Sequence, residues 1–235
     1  MCIRVHLKNA RMNRELQSDQ DLSLTVNVDE LVLRNLETAL TENPLNLSDE
    51  QKIEQIAYHF RQIMETLGLD LSDDSLSGTP KRVAKMYVQE IFKGLNEQNK
   101  PEPTLFENRY AYDKMLVERN IAVYSNCEHH FVPIVGKAHV AYISSGKVIG
   151  LSKLNRIVDH YARRPQVQER LTMEIATELK EVLQTEDVAV IIDATHHCVS
   201  SRGIRDTGST TVTTEFSGKF LDTDTRKELM QLIGL

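Results

Sequence analysis

The chain has 235 residues, of which 40% are hydrophobic and 26% are charged, as in an ordinary globular protein of one or two domains. Lys and Arg number 28 against 34 Asp and Glu, and the net charge of −6 argues against a protein that binds nucleic-acid phosphates. No segment approaches the roughly 20 apolar residues of a membrane span, and the first 20 residues lack the apolar stretch of a signal peptide. Three cysteines, Cys2, Cys127 and Cys198, are no disulfide framework, so we predict a cytoplasmic protein without a membrane or nucleic-acid partner.

The first half of the chain is predicted to be helical after a loose arm over residues 1–28. Asp29 is a candidate N-cap for a first helix, and Ser48 with Gln51 forms a capping box for a second helix that ends at Gly68. Thr79-Pro80 begins a third helix, which we expect to end at Gly94. The second helix has one apolar face, formed by Ile53, Ile56, Phe60, Ile63, Met64 and Leu67. We therefore assign residues 29–110 to an N-terminal helical region.

Residues 111–235 show strand patterns interrupted by helices and are predicted to form a second domain. Segments rich in β-branched residues predict strands over 115–124, 131–143, 187–195 and 209–216. Apolar periodicity predicts helices over 152–164, from Pro165 onward, and over 225–233. This order lacks regular βαβ alternation, which favours an α+β fold with an antiparallel sheet over a doubly wound fold.

Two separated clusters combine cysteine with histidine. In Cys127-Glu128-His129-His130 the C-x2-H spacing lets Cys127 and His130 converge on one ion, and thiolate and imidazole are ligands that zinc prefers. In His196-His197-Cys198, at the end of a predicted strand, residues i and i+2 share a face, so we expect His196 and Cys198 to point the same way.

Cys127, His130 and Cys198 would make three zinc ligands. His129 or His196 as a fourth ligand would give a closed structural site, whereas water in the fourth position would give a catalytic one. The absence of C-x2-C pairs favours the open site. The alternatives are two buried thiols beside hydrogen-bonded histidines, or a Cys127–Cys198 disulfide.

A basic cluster lies between residues 146 and 172, and Arg202 and Arg205 follow the second cysteine cluster. Ser152 and Lys153 fall at a helix start, where free N–H groups favour anions, with Arg156 one turn later. These residues could bind a polyphosphate, although an ordinary helix start with solvated charges explains them as well. Gln168 and Glu169 could read a purine edge, or Glu169 could simply be a helix-start carboxylate.

Several spaced blocks, CEHH, VIGLSKLNRIV, RRPQVQERLT, ATHHCVSSRGIRD and GTPKRVAKMYVQEIFKGL, together resemble GTP cyclohydrolase I. The resemblance runs from about residue 48 to residue 220 and is closest to the bacterial form. It implies a T-fold, also called the tunnelling fold, with subunits joined into rings that stack as a homodecamer. It also implies conversion of GTP and water to formate and 7,8-dihydroneopterin triphosphate, the first step of folate biosynthesis.

The resemblance also implies roles for individual residues. Cys127, His130 and Cys198 correspond to the zinc ligands, His196 to the acid that protonates the imidazole nitrogen, and His129 to a second proton-transfer residue. Glu169, with Gln168 beside it, corresponds to the guanine anchor. Ser152, Lys153, Arg156 and Arg202 correspond to the triphosphate clamp, Arg202 reaching a neighbouring subunit's site, and Ser152 also to a residue that assists the ribose rearrangement.

Two other functions are compatible with parts of the pattern. A nitrile reductase of queuosine synthesis shares the T-fold, but it needs one nucleophilic cysteine and no second thiol ligand. A non-enzymatic module stabilised by zinc would unfold on metal removal, whereas we expect a chain of 235 residues to keep its fold without metal.

Overall fold

The computed structural model of the chain describes residues 38, 40, 41 and 45–234, and these lie within one compact unit. The helices are α1 (Asp49–Thr66), α2 (Thr79–Met86), α3 (Leu151–Ala162), α4 (Gln168–Leu183), α5 (His197–Ser200) and α6 (Thr223–Ile233). The strands are β1 (Leu105–Glu107), β2 (Met115–Cys127), β3 (Pro133–Ile143), β4 (Lys147–Ile149), β5 (Pro165–Gln166), β6 (Val188–His196) and β7 (Thr211–Phe216). Among these residues no helix is long and apolar enough to cross a membrane.

The main sheet has the strand order β5-β2-β3-β6-β7, in which every pair is antiparallel except the short parallel pair of β5 with β2. β1 and β4 form a separate two-stranded sheet. α3 and α4 cover one face of the main sheet with a large apolar core, and α6 packs on the other face. The predicted α+β class with an antiparallel sheet is therefore confirmed.

The strand and helix bounds agree with the sequence to within a few residues, with two exceptions. The helix predicted from Pro165 is present but begins only at Gln168 as α4, because Pro165 and Gln166 pair with Asn126 and Cys127 as β5. Pro165 has no N–H to donate, which suits a short strand at the edge of a sheet. This short strand places the start of α4 directly beside the end of β2.

The helices before the sheet follow the sequence signals in part. The Ser48–Gln51 capping box is present, with Ser48 N donating to Gln51 Oε1 at 2.9 Å, and Gly68 follows α1 with φ of 78°. The helix predicted from Thr79 to Gly94 ends earlier, because α2 becomes a π turn over Tyr87–Ile91 and then a 3-10 turn that contains Gly94. The helix predicted from Asp29 lies outside the described residues, and the boundary between residues 110 and 111 stays a prediction.

The predicted apolar face of α1 is covered only in part within the chain. Ile53 and Met64 are buried, whereas Ile63 is 52% exposed and Leu67 is 71% exposed. A helix that leaves part of its apolar face exposed to solvent has a surface suited to a partner.

The junction between these helical turns and the sheet is made at the C-terminal end of α3. Gly94 N donates to the Arg163 carbonyl at 3.0 Å, and a side chain at Gly94 would overlap the backbone oxygens of His160 and Arg163. Arg164 is buried here, where its guanidinium donates to the Gly94 carbonyl at 2.9 Å, to Glu97 at 2.9 Å and to His160 Nε2 at 3.0 Å. Since a guanidinium only donates, His160 must accept through Nε2 and is neutral.

We predict that His160 makes stability depend on pH. Burial, and then the Arg164 charge, lower the pKa of His160. A histidine whose pKa is lower in the folded state stabilises the fold above its unfolded pKa of about 6.5, and this stabilisation is lost as pH falls through the folded pKa. The thermal midpoint of the wild type should therefore fall more steeply below about pH 6.5 than that of His160→Gln, whose amide can still accept from Arg164. Parallel slopes for the two proteins would contradict this assignment.

Candidate metal centre and active site

The loop between β2 and β3 presents the first predicted cluster. Cys127 ends β2 and is buried, and its N–H donates to the Val132 carbonyl at 2.8 Å. The Phe131 N–H donates back to the Cys127 carbonyl at 2.8 Å, and Phe131 has a positive φ of 53°. This tight turn leaves the side chains of His129 and His130 exposed beside the buried thiol.

The second cluster, which contains His196 and Cys198, lies at the end of β6, the strand next to β3. β6 pairs with β3 so that His196 lies opposite Ile134, close to the start of β3. β3 provides no partner for residues beyond His196, and the chain turns into α5 at His197. The expectation that His196 and Cys198 share a strand face is therefore wrong, because Cys198 lies in a helical turn.

The two clusters nevertheless converge. The ligand atoms of Cys127, His130 and Cys198 all lie within 4.8 Å of one another, and Cys127 Sγ lies 3.9 Å from His130 Nδ1. Tetrahedral zinc with sulfur at about 2.3 Å and nitrogen at about 2.0 Å would separate its ligand atoms by about 3.5–3.8 Å. The donor set and its spacing thus fit a zinc ion after a small contraction. Within the described residues, neither His129 nor His196 belongs to this group.

The electrostatics of the two thiols also fit a cation. Both cysteines are free, so the alternative of a disulfide does not describe this structure. Burial, followed by the neighbouring Cys127 thiol, raises the pKa of Cys198. A divalent cation beside Cys198 would favour its thiolate and so oppose this effect of burial.

A group of residues outside the predicted set supports the Cys127 loop. Arg170 on α4 forms an ion pair with Glu128 and donates to the side chain of Gln166 at 3.0 Å. Glu128 N donates to the Gln166 carbonyl at 3.0 Å, and the buried Gln166 side chain donates to Glu174 at 2.6 Å. Sequence reasoning counted Arg170 only as part of a basic cluster.

Arg202 lies beside the candidate metal ligands. Its Nη1 is 3.0 Å from His130 Nε2 in the same chain. Arg202 therefore contributes positive charge at the candidate metal centre of its own subunit.

The predicted proton-transfer and guanine-reading residues lie at the start of α4 and the end of β6. Oε1 of Gln168 is 2.7 Å from His196 Nε2, and the Gln168 side chain is buried, whereas Glu169 is exposed. Burial lowers the pKa of His196, with Glu169 opposing the shift. His129, the second predicted proton-transfer residue, lies beside a candidate metal ligand, with its Nδ1 3.6 Å from Cys127 Sγ.

Ser152, Lys153 and Arg156 do not join this centre within one chain. Ser152 and Lys153 lie in the first turn of α3, and Arg156 lies near the middle of this helix of 12 residues. The opposite end of α3 is the end near the Cys127 strand, because the Arg163 guanidinium lies 5.9 Å from the centre of the Tyr124 ring on β2. Ser152 and Lys153 are therefore at the end of α3 that is remote from Tyr124.

Comparison with known proteins decides the family. Residues 56–234 match the family described as GTP cyclohydrolase I. The chain belongs to the GTP cyclohydrolase I family. Its α+β architecture is accordingly that family's T-fold.

Three similar proteins are each named GTP cyclohydrolase 1. The one from Flavobacterium johnsoniae is 59% identical over 201 residues, covering 86% of this chain and 90% of that protein. The one from Aeromonas salmonicida is 56% identical, covering 85% and 91%, and the one from Salmonella arizonae is 53% identical over 206 residues, covering 87% and 93%.

We predict one zinc ion per subunit, bound by Cys127, His130 and Cys198. Replacing Cys127 or Cys198 with serine, or His130 with asparagine, should remove zinc measured by plasma mass spectrometry, because each change deletes one of three donors. His129→Asn is the matched control, since it changes the adjacent histidine in the same exposed loop and should retain zinc. Zinc loss in His129→Asn would instead make His129 a ligand and close the site.

Proposed function

We propose that this protein is a zinc-dependent hydrolase that converts GTP and water to formate and 7,8-dihydroneopterin triphosphate, the first step of folate biosynthesis. The observation that supports it best is the convergence of Cys127, His130 and Cys198 in a member of this family. Zinc is the cofactor that the family and this donor set support. When bound, it supplies Lewis-acid activation of water for attack on the C8 position of guanine.

The protein's own residues supply binding and proton transfer in this proposal. His196, next to α5, protonates the imidazole nitrogen as its ring opens, and exposed His129 serves as a second proton carrier. Glu169, exposed at the start of α4, accepts hydrogen bonds from the guanine N–H groups. Ser152 assists the later rearrangement of the ribose.

The triphosphate clamp requires more than one subunit. Ser152 and Lys153 lie in the first turn of α3 and Arg156 lies near its middle, and the candidate metal ligands lie on other elements of the chain, so in this proposal a neighbouring chain brings the start of its α3 to the centre. The resemblance implies that Arg202 reaches a neighbour's site, and in this chain its Nη1 lies 3.0 Å from Nε2 of His130. In this arrangement each active site combines Arg202 of one subunit with Lys153 of another.

A homo-oligomer also accounts for surfaces left open in one chain. Ile63 and Leu67 on α1 are exposed, and β7 forms a sheet edge on which Val212 is 53% exposed. Open strand edges and apolar helix faces are normally covered by a partner. We propose the family's assembly, a decamer of two stacked rings. We place the protein in the cytoplasm, where free cysteines stay reduced.

The direct test is incubation of the zinc-loaded protein with GTP, with formate measured enzymatically and the pterin measured by fluorescence after oxidation. We expect formate and pterin in equal amounts. Cys198→Ser should produce neither, since it lacks one metal donor while the sheet is unchanged. A zinc-loaded protein that releases no formate would refute the proposed function.

Mixing two inactive variants tests the shared site. Subunits with Arg202→Ala and subunits with Lys153→Ala, dissociated and reassembled at equal amounts, should regain activity in about one quarter of their sites, because random mixing pairs an intact Arg202 with an intact Lys153 that often. The matched control mixes Arg202→Ala with Cys127→Ser, whose changes fall in the same subunit's half of the site. No activity should return there, and equal recovery in both mixtures, or recovery in neither, would contradict the arrangement.

A further inference from the structure

Gln168 is buried at the first position of α4, with 1% of its surface exposed. Its amide nitrogen lies 3.0 Å from the Ile192 carbonyl oxygen, 2.8 Å from the Thr211 carbonyl oxygen and 3.1 Å from Thr213 Oγ1. These contacts join the start of α4 to the middle of β6 and the first half of β7. The amide is therefore held by two strands at once.

These partners decide which end of the amide is nitrogen. Backbone carbonyl oxygens only accept hydrogen bonds, so the group that faces Ile192 and Thr211 must be the NH2 group of Gln168. Turning the amide over would place an oxygen against two carbonyl oxygens in a buried site, which costs two hydrogen bonds. The carbonyl end, Oε1, consequently faces His196.

The hydrogen bonds of Thr172 and Thr213 agree with this orientation of the Gln168 amide. Thr172 Oγ1 donates to the Gln168 backbone carbonyl at 2.8 Å and lies 2.6 Å from Thr213 Oγ1. Because the single hydroxyl hydrogen of Thr172 is used, Thr213 donates to Thr172. Thr213 then has a lone pair free to accept, and it shares one of the two NH2 hydrogens of Gln168 with a carbonyl oxygen.

The orientation of Gln168 fixes the protonation of His196. Gln168 Oε1 lies 2.7 Å from His196 Nε2, and an amide oxygen only accepts, so His196 Nε2 must carry a hydrogen. A neutral imidazole carries one hydrogen, which leaves Nδ1 with the free lone pair. Within the part of the chain that the structure describes, Nδ1 of His196 has no hydrogen-bond partner.

We propose that Gln168 is a positioning residue that holds the His196 ring through Nε2 and leaves Nδ1 as the ring nitrogen that can face substrate. This inference rests on the proposed function. The sequence predicted that Gln168 reads guanine. To contact guanine, the buried amide would have to give up its three acceptors and its contact with His196, so we assign it the positioning role instead. Guanine recognition at the start of α4 is left to Glu169, which is exposed.

Gln168→Met tests this role in the zinc-loaded oligomer. Methionine has a similar length and lacks the amide, so the ring of His196 loses its acceptor. We expect kcat to fall about 10- to 100-fold, as for the loss of groups that orient ligands at other sites, while zinc content is unchanged and KM for GTP stays within about twofold. Glu169→Gln should show the opposite split, with its main effect on KM.

Thr213→Val is the matched control. It removes one of the acceptors of the Gln168 amide but leaves the carbonyl partners and the His196 contact, so we expect kcat to stay within about threefold of the wild type. An equal loss of kcat in both variants would show that general disruption of this packing, and not the contact with His196, lowers the rate. If KM for Gln168→Met increases by as large a factor as kcat falls, Gln168 contacts guanine and the proposal is wrong.

A second measurement does not depend on turnover or on the folding of a variant. Magic-angle-spinning NMR of wild-type protein labelled with 15N histidine reports which ring nitrogen of His196 carries the hydrogen, with His196→Gln used for assignment. The proposal requires hydrogen on Nε2, and a neutral His196 with hydrogen on Nδ1 overturns it. If the wild type turns over no GTP, the proposed function fails, and the NMR result still decides whether Gln168 sets the His196 tautomer.

Discussion

The antiparallel pairing of β3 with β6 sets the geometry of the candidate active site. Its register places His196 opposite Ile134, just where the Cys127 loop enters β3. Beyond that point the sheet offers no partner, so the chain turns into α5 and carries Cys198 toward Cys127 and His130. A shift of one residue in this pairing would reverse every side chain of β6 and would separate the two cysteine clusters.

The charged residues around the Cys127 loop add rigidity that a short loop lacks by itself. Arg170 and Gln166 are largely buried, and each satisfies its polar groups with the loop or with α4. Unpaired groups of this kind would be costly in such a setting, so the loop, β5 and α4 are expected to move as one body. A metal centre benefits from this arrangement, since donors held by surrounding hydrogen bonds need little reorganisation to accept an ion.

The sequence contains local signals for much of the fold but few signals for the supports of the site. Capping at Ser48, Pro80 at a helix start and the β-branched strands each depend on near neighbours, and the structure agrees with them. Pro165 was misassigned because its pairing partner is remote, and only the tertiary fold makes it a strand residue. Cys198 was also predicted to lie on a strand, and the end of β6 at His196 depends on its remote partner strand β3.

Side-chain partners were the least predictable part. The pairing of Gln168 with His196 joins the start of one helix to the end of a strand, and no spacing rule connects them. Family resemblance named both residues, but it grouped Gln168 with Glu169, its neighbour in sequence. Burial separates the two, because the first residue of α4 faces the sheet and the second faces solvent.

The remoteness of the contacts that build the metal centre has a consequence for the order of folding. Arg170 and Glu128 are 42 positions apart, and Arg202 and His130 are 72 positions apart. Contacts between such distant segments form late, after the loop-closure entropy between them has been overcome by the intervening sheet. The two thiols therefore meet only in a chain whose sheet already exists, so a nascent or partly folded chain would hold single cysteines with weak affinity for metal. We therefore expect zinc to bind to a chain that has already folded, in contrast to small zinc domains in which the ion drives folding.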